Sequence, residues 1–396
     1  MRNADHGHKS ITIKASVYFK LILVGFRMRS IERIKVEGYK SIHTMDLTLR
    51  PLNVLIGANG VGKSNFISTF KFLHELTNEN LQLYVARAGG VDAFLHFGQQ
   101  VTDELHFYVE FKQNIRGLTN AYECGLVPSS ENGFVFSNER TYFQDRNRYG
   151  QPYNESLGSG HTETRLNSES GKVVRYVKDA MRSWRIYHFH DTSESAKVKQ
   201  IGDLFDNRFL RPDASNLAAY LYLLQETETA HYQNIVDAIR MIAPFFENFA
   251  LRPYPFNTEK IRLEWHERGT DMTFGANALS DGTLRFISLA TLLLQPTEKL
   301  PTTILLDEPE LGLHPYAINV LANLLHSVAE RTQVIVSTQS VTLVNQFDPE
   351  DIIVVDRDGG QSIFRHLPEN EIDAWLDDYG LGDLWEKNVL GGRPQK

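Results

Sequence analysis

A glycine-rich segment at residues 53–65 places the strongest constraint on what this chain can fold into. It reads NVLIGANGVGKSN and contains the pattern GxxxxGK[ST] from Gly57 to Ser64. An apolar run, 54–56, precedes the pattern, and apolar residues at helical spacing follow it within 66–73. A strand, a glycine-rich loop and a helix in this order form a cradle for phosphate groups. The sequence therefore predicts a nucleoside triphosphate site, and a bland glycine turn is the disfavoured alternative.

Each residue type in this segment has a physical task. Glycine allows backbone conformations that a Cβ atom forbids, so successive amide N–H groups can turn toward a phosphate at the start of the helix. Lys63 is expected to neutralise oxygens of the β- and γ-phosphates, and the hydroxyl of Ser64 to bind Mg²⁺. ATP and Mg²⁺ are therefore the predicted cofactors. The predicted nucleotide-binding residues of the loop are Gly57, Ala58, Asn59, Gly60, Gly62, Lys63, Ser64 and Asn65.

Two acidic residues, Asp307 and Glu308, end the apolar run of the segment ILLDEPELGLHP. Ligands of open α/β sheets bind at the carboxyl ends of strands, so these side chains are predicted to lie beside the phosphates. Asp307 is expected to share the Mg²⁺ ion with Ser64, and Glu308 to orient the attacking water. A solvated acidic turn is the alternative, but acids that end so apolar a run would be poorly placed without a metal ion or water to bind.

The segment ALSDGTLRF, residues 278–286, is predicted to start a buried helix. Ser280 is a favourable N-cap residue, and Gly282 permits a close backbone approach. The free N–H groups of such a helix start attract an anion. Taken alone the segment is a capped helix. Between a phosphate loop and an acidic strand end it matches the LSxG signature motif of the ABC superfamily.

Composition limits the classes of partner. With 42% hydrophobic and 23% charged residues the chain is an ordinary globular protein, and its net charge of −8 gives no overall attraction to nucleic acid or anionic membranes. The lone cysteine, Cys124, excludes an intrachain disulfide and agrees with a cytoplasmic location. Residues 17–26 are apolar, but Lys20 interrupts them and the run is too short to span a bilayer. Residues 1–27 are therefore predicted to be an N-terminal extension, and no membrane partner is expected.

The pattern along the chain predicts an α/β fold with one ATPase domain over residues 28–396. Helical spacing over about 200–247 predicts a helical insert. The polar stretch of about 127–170 is predicted to be a surface insertion made of loops. Continuous apolar runs at 302–308 and 334–338 predict parallel core strands that are covered on both faces. No heptad run stands out, which excludes a long coiled coil.

Four segments together carry a family resemblance: GANGVGKSN, LSDGT, ILLDEPELGLHP and VIVSTQS. In this order, between about residues 28 and 356, they resemble the RecF/SMC-like branch of the ABC ATPases. They are most similar to the compact overcoming-lysogenization-defect (OLD)-like AAA ATPases of bacterial antiphage defence and genome maintenance. The resemblance implies a P-loop ABC-type ATPase head with a mixed β-sheet lobe, a parallel core sheet and an inserted helical region.

The same resemblance implies a homodimer in which two heads sandwich two ATP molecules. Ser280 and Gly282 of one head would contact the γ-phosphate held by the other. Asp307 and Glu308 would act on the nucleotide of their own chain. The loop at 311–314 would cross the dimer interface.

Two positions depart from the pattern of that superfamily. The residue after VIVST is usually histidine, and here it is Gln339, which hydrogen-bonds but carries no proton. Slow hydrolysis is therefore expected, with Gln339, Glu308 and Lys63 as the predicted catalytic residues. The glutamine that usually completes the Mg²⁺ shell is predicted at Gln99, with Gln100 as the alternative.

Two further features near the motifs are predicted to be ordinary surface. Arg87 follows the phosphate-loop helix and could reach phosphates, but a surface arginine is the preferred interpretation. The segment HFHDTS, residues 188–193, offers two histidines and an aspartate. Without a third cluster of ligands it is predicted to be a loop rather than a metal site.

A set of basic and aromatic residues supports a nucleic-acid interpretation. Such side chains contact phosphates and stack on bases, and the alternative is a charged surface that faces solvent. The acidic residues toward the C-terminus would repel DNA. The set comprises Arg140, Tyr142, Arg146, Arg148, Tyr149, Lys172, Arg175, Lys178, Arg182, Trp184 and Arg185.

The leading hypothesis is an ATP-driven dimeric switch that controls a separately encoded effector, expected to be a nuclease. The residues after 356 show no acid cluster that would indicate a fused nuclease of the TOPRIM kind. A RecF-like DNA clamp is the alternative, and it predicts direct, salt-sensitive duplex binding. A transporter ATPase is less favoured because 217 positions, 280 minus 63, separate Lys63 from Ser280. No NKxD motif follows the acidic strand end, so GTP is not the expected nucleotide.

Overall fold

The computed structural model describes residues 29–113, 117–367 and 379–392. The predicted N-terminal extension, residues 1–27, lies outside the described residues. The strands, in chain order, are β1 (Ile31–Tyr39), β2 (Ile42–Thr48), β3 (Leu52–Ile56), β4 (Leu105–Lys112), β5 (Leu118–Pro128), β6 (Phe134–Asp145), β7 (Tyr153–Gly158), β8 (Arg185–Tyr187), β9 (Gly202–Asp203), β10 (Phe246–Phe249), β11 (Lys260–Ile261), β12 (Glu264–Glu267), β13 (Thr273–Gly275), β14 (Thr303–Asp307), β15 (Gln333–Thr338), β16 (Ile352–Asp358) and β17 (Gln361–His366).

Helices cover both faces of the central sheet. The α-helices are α1 (Lys63–Thr77), α2 (Leu81–Arg87), α3 (Lys172–Ser183), α4 (Leu217–Thr227), α5 (Thr229–Ile242), α6 (Asp281–Leu294), α7 (Pro315–Ala329), α8 (Val341–Val344) and α9 (Leu381–Glu386). Short 3₁₀ turns lie at Val91–Ala93, Lys197–Lys199, Ala276–Ala278, Thr297–Lys299 and Pro349–Asp351. None of the helices in the described ranges is long and apolar enough to cross a membrane.

The central sheet has six strands in the order β17-β16-β3-β15-β14-β8. All neighbours from β16 to β8 pair in parallel, and β17 is an antiparallel edge strand. Every residue of β3 and β15 is buried, as expected for strands that are covered on both faces. The predicted parallel core sheet is therefore confirmed, and the carboxyl ends of β3, β15, β14 and β8 meet at one edge.

Side chains alternate along the central strands and separate two apolar clusters. Leu55, Leu305 and Ile335 pack with α1, α3 and the second large sheet. Val54, Leu306 and Val336 pack with helices α4 to α7 on the opposite face. Each strand thus has an α1 face and an α6 face, and these terms are used below.

The second large sheet, here called the lobe sheet, is antiparallel and has the order β2-β1-β4-β5-β6-β7. It contains β6 and β7, which both lie within the stretch 127–170. The prediction of a loop insertion there was wrong. Phe134 and Phe136 are buried in the core, whereas Ser137 and Arg140, further along β6, are exposed.

The predicted helical insert of about 200–247 is helical only from Leu217 onward. Residues before it form turns and the short strand β9, which pairs with β11. Helices α4 and α5 are part of the main core rather than an appendage, because Leu221, Ile235 and Ile239 are fully buried against the α6 face. The hydrophobic spacing was correct, but the start of the helices was placed too early.

Candidate nucleotide site

The phosphate loop between β3 and α1 has the backbone geometry that its glycines predict. Gly62 has a φ of +119°, and a Cβ atom there would overlap the Ser362 hydroxyl oxygen. Only glycine adopts this conformation in so small a space. Gly60 has a φ of +79°, and a Cβ atom added there would meet no atom within 4 Å, so this residue borders open space. The loop is closed on one side and open on the side where a phosphate would bind.

Serine hydroxyls of the strands beside the loop hold it from behind. Ser362 donates a hydrogen bond to the Val61 carbonyl at 2.5 Å and shares one with Ser41 at 2.6 Å. Asn65, in the first turn of α1, donates to the Ser41 hydroxyl at 2.7 Å. The predicted binding residue Asn65 therefore contributes to the support of the loop.

Lys63 lies in the centre of the loop and is only 5% exposed. Its ammonium group donates to the carbonyls of Gly57 at 2.6 Å and Ala58 at 3.0 Å. Burial lowers the pKa of Lys63, and the carboxylates of Glu308 and Asp307 partly oppose that shift. A buried cation that is bonded to neutral carbonyls is well placed to exchange them for phosphate oxygens.

Glu308, of the acidic pair at the end of β14, contacts the switch glutamine Gln339. Glu308 has a left-handed φ of +45°, and its amide donates to the Ser337 carbonyl at 2.8 Å. This conformation is unfavourable for a residue with a side chain and is held by surrounding structure. It turns the Glu308 carboxylate toward the end of β15, where it accepts a hydrogen bond from the Gln339 side-chain amide.

Glu310 is a site residue that the sequence analysis missed. Its buried carboxylate accepts hydrogen bonds from the Thr338 hydroxyl at 2.5 Å and from the Gln339 backbone amide at 3.3 Å. Burial raises the pKa of Glu310. It anchors the end of β15 and thereby positions Gln339. The sequence signal that could have revealed Glu310 was an acidic residue in the segment PELG, directly after the acidic pair to which catalytic roles were assigned.

The predicted signature residues lie at the start of α6. Ser280 caps the helix, and its hydroxyl accepts from the Thr283 amide at 3.2 Å. A Cβ atom on Gly282 would lie 2.5 Å from the Gly312 carbonyl oxygen. Glycine is therefore required at 282 because the loop 311–314 packs directly on this turn. The signature and the predicted interface loop form one continuous surface.

Arg285 joins this surface to the segment after β8. Its guanidinium donates to the Leu311 carbonyl at 2.7 Å and to the His190 carbonyl at 2.9 Å. Side chains of His190, Arg285, Asp307 and Glu308 line one small cavity. The HFHDTS segment is thus a loop, as predicted, but it lies at the site. The sequence signal was weak because β8 has only three residues.

Two other predicted residues have contacts of their own. Gln99 donates to the Asp92 carboxylate from its backbone amide at 2.9 Å and from its side chain at 3.3 Å. Its role in the metal shell remains a prediction. Arg87 is exposed at the end of α2, in agreement with the surface interpretation.

The basic-aromatic set does not form one nucleic-acid surface. Trp184 is 2% exposed and stacks on Phe111 with ring centres 6.1 Å apart, so its assignment to base stacking was wrong. Arg146 forms an ion pair with Glu110 at 2.6 Å, and Tyr142 donates to Glu123. In the sequence Arg146 and Tyr142 look like residues of a polar surface. Their partners lie on other strands of the lobe sheet, so these contacts are not visible in the sequence.

A C-terminal strap contacts the first residues of the phosphate loop. Here the strap denotes residues 381–392. The Gly392 carbonyl accepts from the Ala58 amide at 2.6 Å, and the Gly392 amide donates to Asp356 at 2.5 Å. At its other end, the Gly382 amide donates to Asn345 at 2.6 Å, just after α8. The strap therefore bridges the phosphate loop and the helix that follows Gln339.

The donor set fits a magnesium ion that is bound mainly by nucleotide. No group of three or more histidine, cysteine or acidic side chains suited to a metal occurs within the described ranges. Mg²⁺ prefers oxygen ligands and commonly takes one or two from protein, with phosphates and waters supplying the others. The predicted ligands Ser64 and Asp307 would provide two such oxygens.

The chain resembles known proteins along most of its length. A family model described as "AAA domain, putative AbiEii toxin, Type IV TA system" matches residues 52–345. The OLD nuclease of Thermus scotoductus is 22% identical over 403 residues, which cover 92% of this chain and 68% of that protein. The Old nuclease of Escherichia phage P2 is 21% identical over 383 residues, which cover 86% of this chain and 61% of that protein. The chain thus spans about two thirds of the length of these relatives.

Solved structures of Smc head domains share the fold. The Smc head bound to the C-winged helix domain of ScpA has a TM-score of 0.58 and 16% identity, covering 86% of this chain and 98% of that one. A Pyrococcus furiosus Smc head with an extended coiled coil, bound to the C-terminal domain of ScpA, has a TM-score of 0.55 at 16% identity, covering 89% and 99%. The predicted fold class and the resemblance to OLD-like ATPases are both confirmed. The family model covers well over half of the chain, which therefore belongs to this AAA-domain family and has the fold of an Smc head domain.

Proposed function

We propose that this protein is a dimeric switch that binds and hydrolyses ATP and controls a separate effector, a nuclease, in antiphage defence or genome maintenance. The observation that carries the proposal is the hydrogen bond between Glu308 and Gln339 beside the phosphate loop. It joins an acid that can accept a proton to an amide that can orient water, at the edge where Lys63 lies.

Each residue has a distinct task in hydrolysis. Lys63 leaves the loop carbonyls and binds phosphate oxygens, and Ser64 and Asp307 hold the Mg²⁺ ion. The ion supplies charge neutralisation for the β- and γ-phosphates. Glu308 accepts a hydrogen bond from the attacking water, and Gln339 orients both the carboxylate and the water. The water oxygen forms a bond to the γ-phosphorus, and the bond between that phosphorus and the β-bridging oxygen breaks. The proton of the water passes to Glu308.

Dimerisation is supported by the exposed surface beside the signature. Leu311 is 49% exposed and Tyr316 is 52% exposed, and Leu311 precedes Gly312, whose carbonyl packs on the turn at Gly282. Large apolar side chains in such a position are suited to contact with a second head. A nucleotide held between the phosphate loop of one head and Ser280 of the other would close this interface.

The effector part of the proposal rests on the relatives. Two of them bear the name OLD nuclease, and this chain spans about two thirds of their length. A nuclease that acts together with this ATPase would agree with the name of these relatives.

A trapped variant tests the switch. Glu308→Gln should bind Mg·ATP without turning it over and form a stable dimer, seen as a doubled mass in light scattering. Lys63→Ala in the same experiment should remain a monomer. A monomeric Glu308→Gln protein with ATP bound would exclude the head-dimer model. Affinity purification of the trapped variant from its native host, followed by mass spectrometry, should then identify a stoichiometric nuclease.

A RecF-like DNA clamp is the second candidate, and one surface supports it. The solvent side of α3 carries Lys172, Arg175 and Arg182, whereas Val174 and Val177 face the core. Duplex binding that requires ATP and falls steeply with salt would favour this candidate. Co-purification of nucleic acid without a protein partner would favour it as well.

A further inference from the structure

His188, the residue after β8, lies beside the edge of the central sheet at which the metal ion is proposed to bind. β8 pairs in parallel with β14, and Tyr187 is aligned with Leu306. The next residues along the two strands are His188 and Asp307. Since the carboxyl ends of parallel strands meet at one edge, His188 lies beside the acidic pair.

Alternation of side chains places His188 on the same face as the predicted metal ligands. Tyr187 and Leu306 belong to the α6 face, whereas Ile186 and Leu305 pack on the α1 face. His188 and Asp307 are one residue further on, so they return to the α1 face. Ser64 lies at the start of α1 itself.

Electrostatic neighbours agree with this placement. Burial lowers the pKa of His188, the Asp307 carboxylate raises it, and His190 and Lys71 of α1 lower it. The influence of Lys71 indicates the α1 face, and that of Asp307 indicates the edge of the sheet. The imidazole is still exposed to solvent and accessible to a ligand.

The two strands that flank β14 therefore end in a histidine and a glutamine. β15 leads to Gln339, which is bonded to Glu308, and β8 leads to His188. Gln99, which is predicted to complete the metal shell, is hydrogen-bonded to Asp92. The end of β8 thus offers a polar side chain in the region where one was expected from Gln99.

We propose that His188 donates a hydrogen bond from its imidazole to an oxygen of the bound γ-phosphate, and so distinguishes ATP from ADP. This inference rests on the proposed function. A phosphate oxygen is the favoured partner because Mg²⁺ prefers oxygen ligands, whereas an imidazole N–H is a hydrogen-bond donor. His188 and Gln339 would both contact the γ-phosphate, and they would lie on opposite sides of Asp307.

The test compares affinities for two nucleotides in the Glu308→Gln background. Dissociation constants for Mg·ATP and Mg·ADP are measured by isothermal titration calorimetry. His188→Ala should weaken ATP binding about 10-fold or more, since a hydrogen bond to a charged group is lost, while ADP binding stays within about 2-fold. His188→Gln, which keeps a donor, should restore part of the ATP affinity. His266→Ala, at a half-exposed histidine of β12, is the matched control and should change neither constant.

Each outcome has a defined meaning. An unchanged ratio of the two constants in His188→Ala would overturn the inference, as would equal losses for ATP and ADP, which would indicate a structural role. A loss of ATP affinity in His190→Ala but not in His188→Ala would also overturn it. If the Glu308→Gln parent itself failed to bind Mg·ATP, the proposed function would fail instead, so the two failures are distinguishable.

Discussion

The two large sheets of this protein use carboxylates in opposite ways. In the lobe sheet Glu139 is 0% exposed and accepts hydrogen bonds from the Tyr122 hydroxyl at 2.8 Å, the His161 ring at 2.9 Å and the Arg165 amide at 3.0 Å. In the central sheet Glu308 stands at a strand end in a left-handed conformation and has an accessible neighbour in Gln339. A carboxylate whose acceptor sites are filled by protein is structural, whereas one at an open strand end is free to meet a ligand.

The difference follows from how the strands are connected. Parallel strands direct all their carboxyl ends to one edge, so short strands bring Lys63, Asp307 and Gln339 together from distant parts of the chain. Antiparallel strands alternate in direction, and β6 with its 12 residues places polar groups in the middle of the sheet, where they bond to neighbouring strands. The proposed catalytic residues therefore lie at the edge of the central sheet, whereas the polar contacts that stabilise the fold lie in the middle of the lobe sheet.

The largest expected effect is on Mg·ATP binding, and it distinguishes a lysine at the edge of the central sheet from a lysine of the lobe sheet. Lys63→Ala should weaken Mg·ATP binding by on the order of 1,000-fold, because a buried ammonium that pairs with phosphates is removed. Lys35→Ala is the matched control, since Lys35 lies on β1 of the lobe sheet, where it pairs with the exposed Asp46 at 3.5 Å. Calorimetry should show no change for the control. Comparable losses in both variants would end the assignment of the edge as the nucleotide site.

The next prediction tests the structural carboxylate. Glu139→Ala should lower the free energy of unfolding by about 3 kcal/mol, because the groups that donate to this buried carboxylate lose their acceptor. Glu139→Gln should cost less, since its carbonyl oxygen still accepts. Urea unfolding followed by circular dichroism measures both. ATP affinity of the folded fraction should stay unchanged, and a selective loss of ATP binding would place Glu139 in the functional machinery.

A third prediction concerns the signature surface. Ser280→Arg should raise the dissociation constant of the ATP-bound dimer by about 10-fold or more, because a large side chain enters a close-packed interface. ATP binding by the monomer should be preserved, since Ser280 is proposed to act on the nucleotide of the other head. Light scattering and calorimetry on the Glu308→Gln background separate the two properties. Loss of both together would show that the signature acts within one chain.

The strap gives a smaller effect with an internal control. Gly392 has a φ of +80°, and Gly269 in the β12–β13 turn has a φ of +85°. Alanine at either position should cost about 1 kcal/mol of stability, because both adopt a left-handed backbone. Only Gly392→Ala should also weaken ATP binding, by a few-fold, because the added Cβ atom would lie 3.3 Å from the Gly57 Cα of the phosphate loop and displace it. Thermal melts and calorimetry are the measurements, and equal ATP affinities would make the strap purely structural.

The sequence predicted the edge of the central sheet better than the lobe, for a physical reason. The loop at Gly57, the acids at Asp307 and the cap at Ser280 depend on local backbone chemistry, which a short motif specifies. Glu139 and Trp184 depend on partners many residues away, so their polar or aromatic character alone did not reveal their burial. His188 falls between these cases, because β8 is too short to carry a periodic signal.

The smallest effect is expected where the central edge departs from its superfamily pattern. Gln339→His should leave the melting temperature unchanged and raise ATP turnover a few-fold, because an imidazole can replace the amide as donor to Glu308 and can also carry a proton. Phosphate release under saturating ATP measures the change, and Gln333→His, at a buried glutamine that bonds to the Ile31 backbone, is a control that should only destabilise. If Gln339→His instead lowered turnover, the glutamine would be a tuned partner of Glu308 and not the cause of slow hydrolysis. The rate of ATP hydrolysis would then depend on the geometry of the hydrogen bond between Gln339 and Glu308 rather than on the lack of a proton carrier.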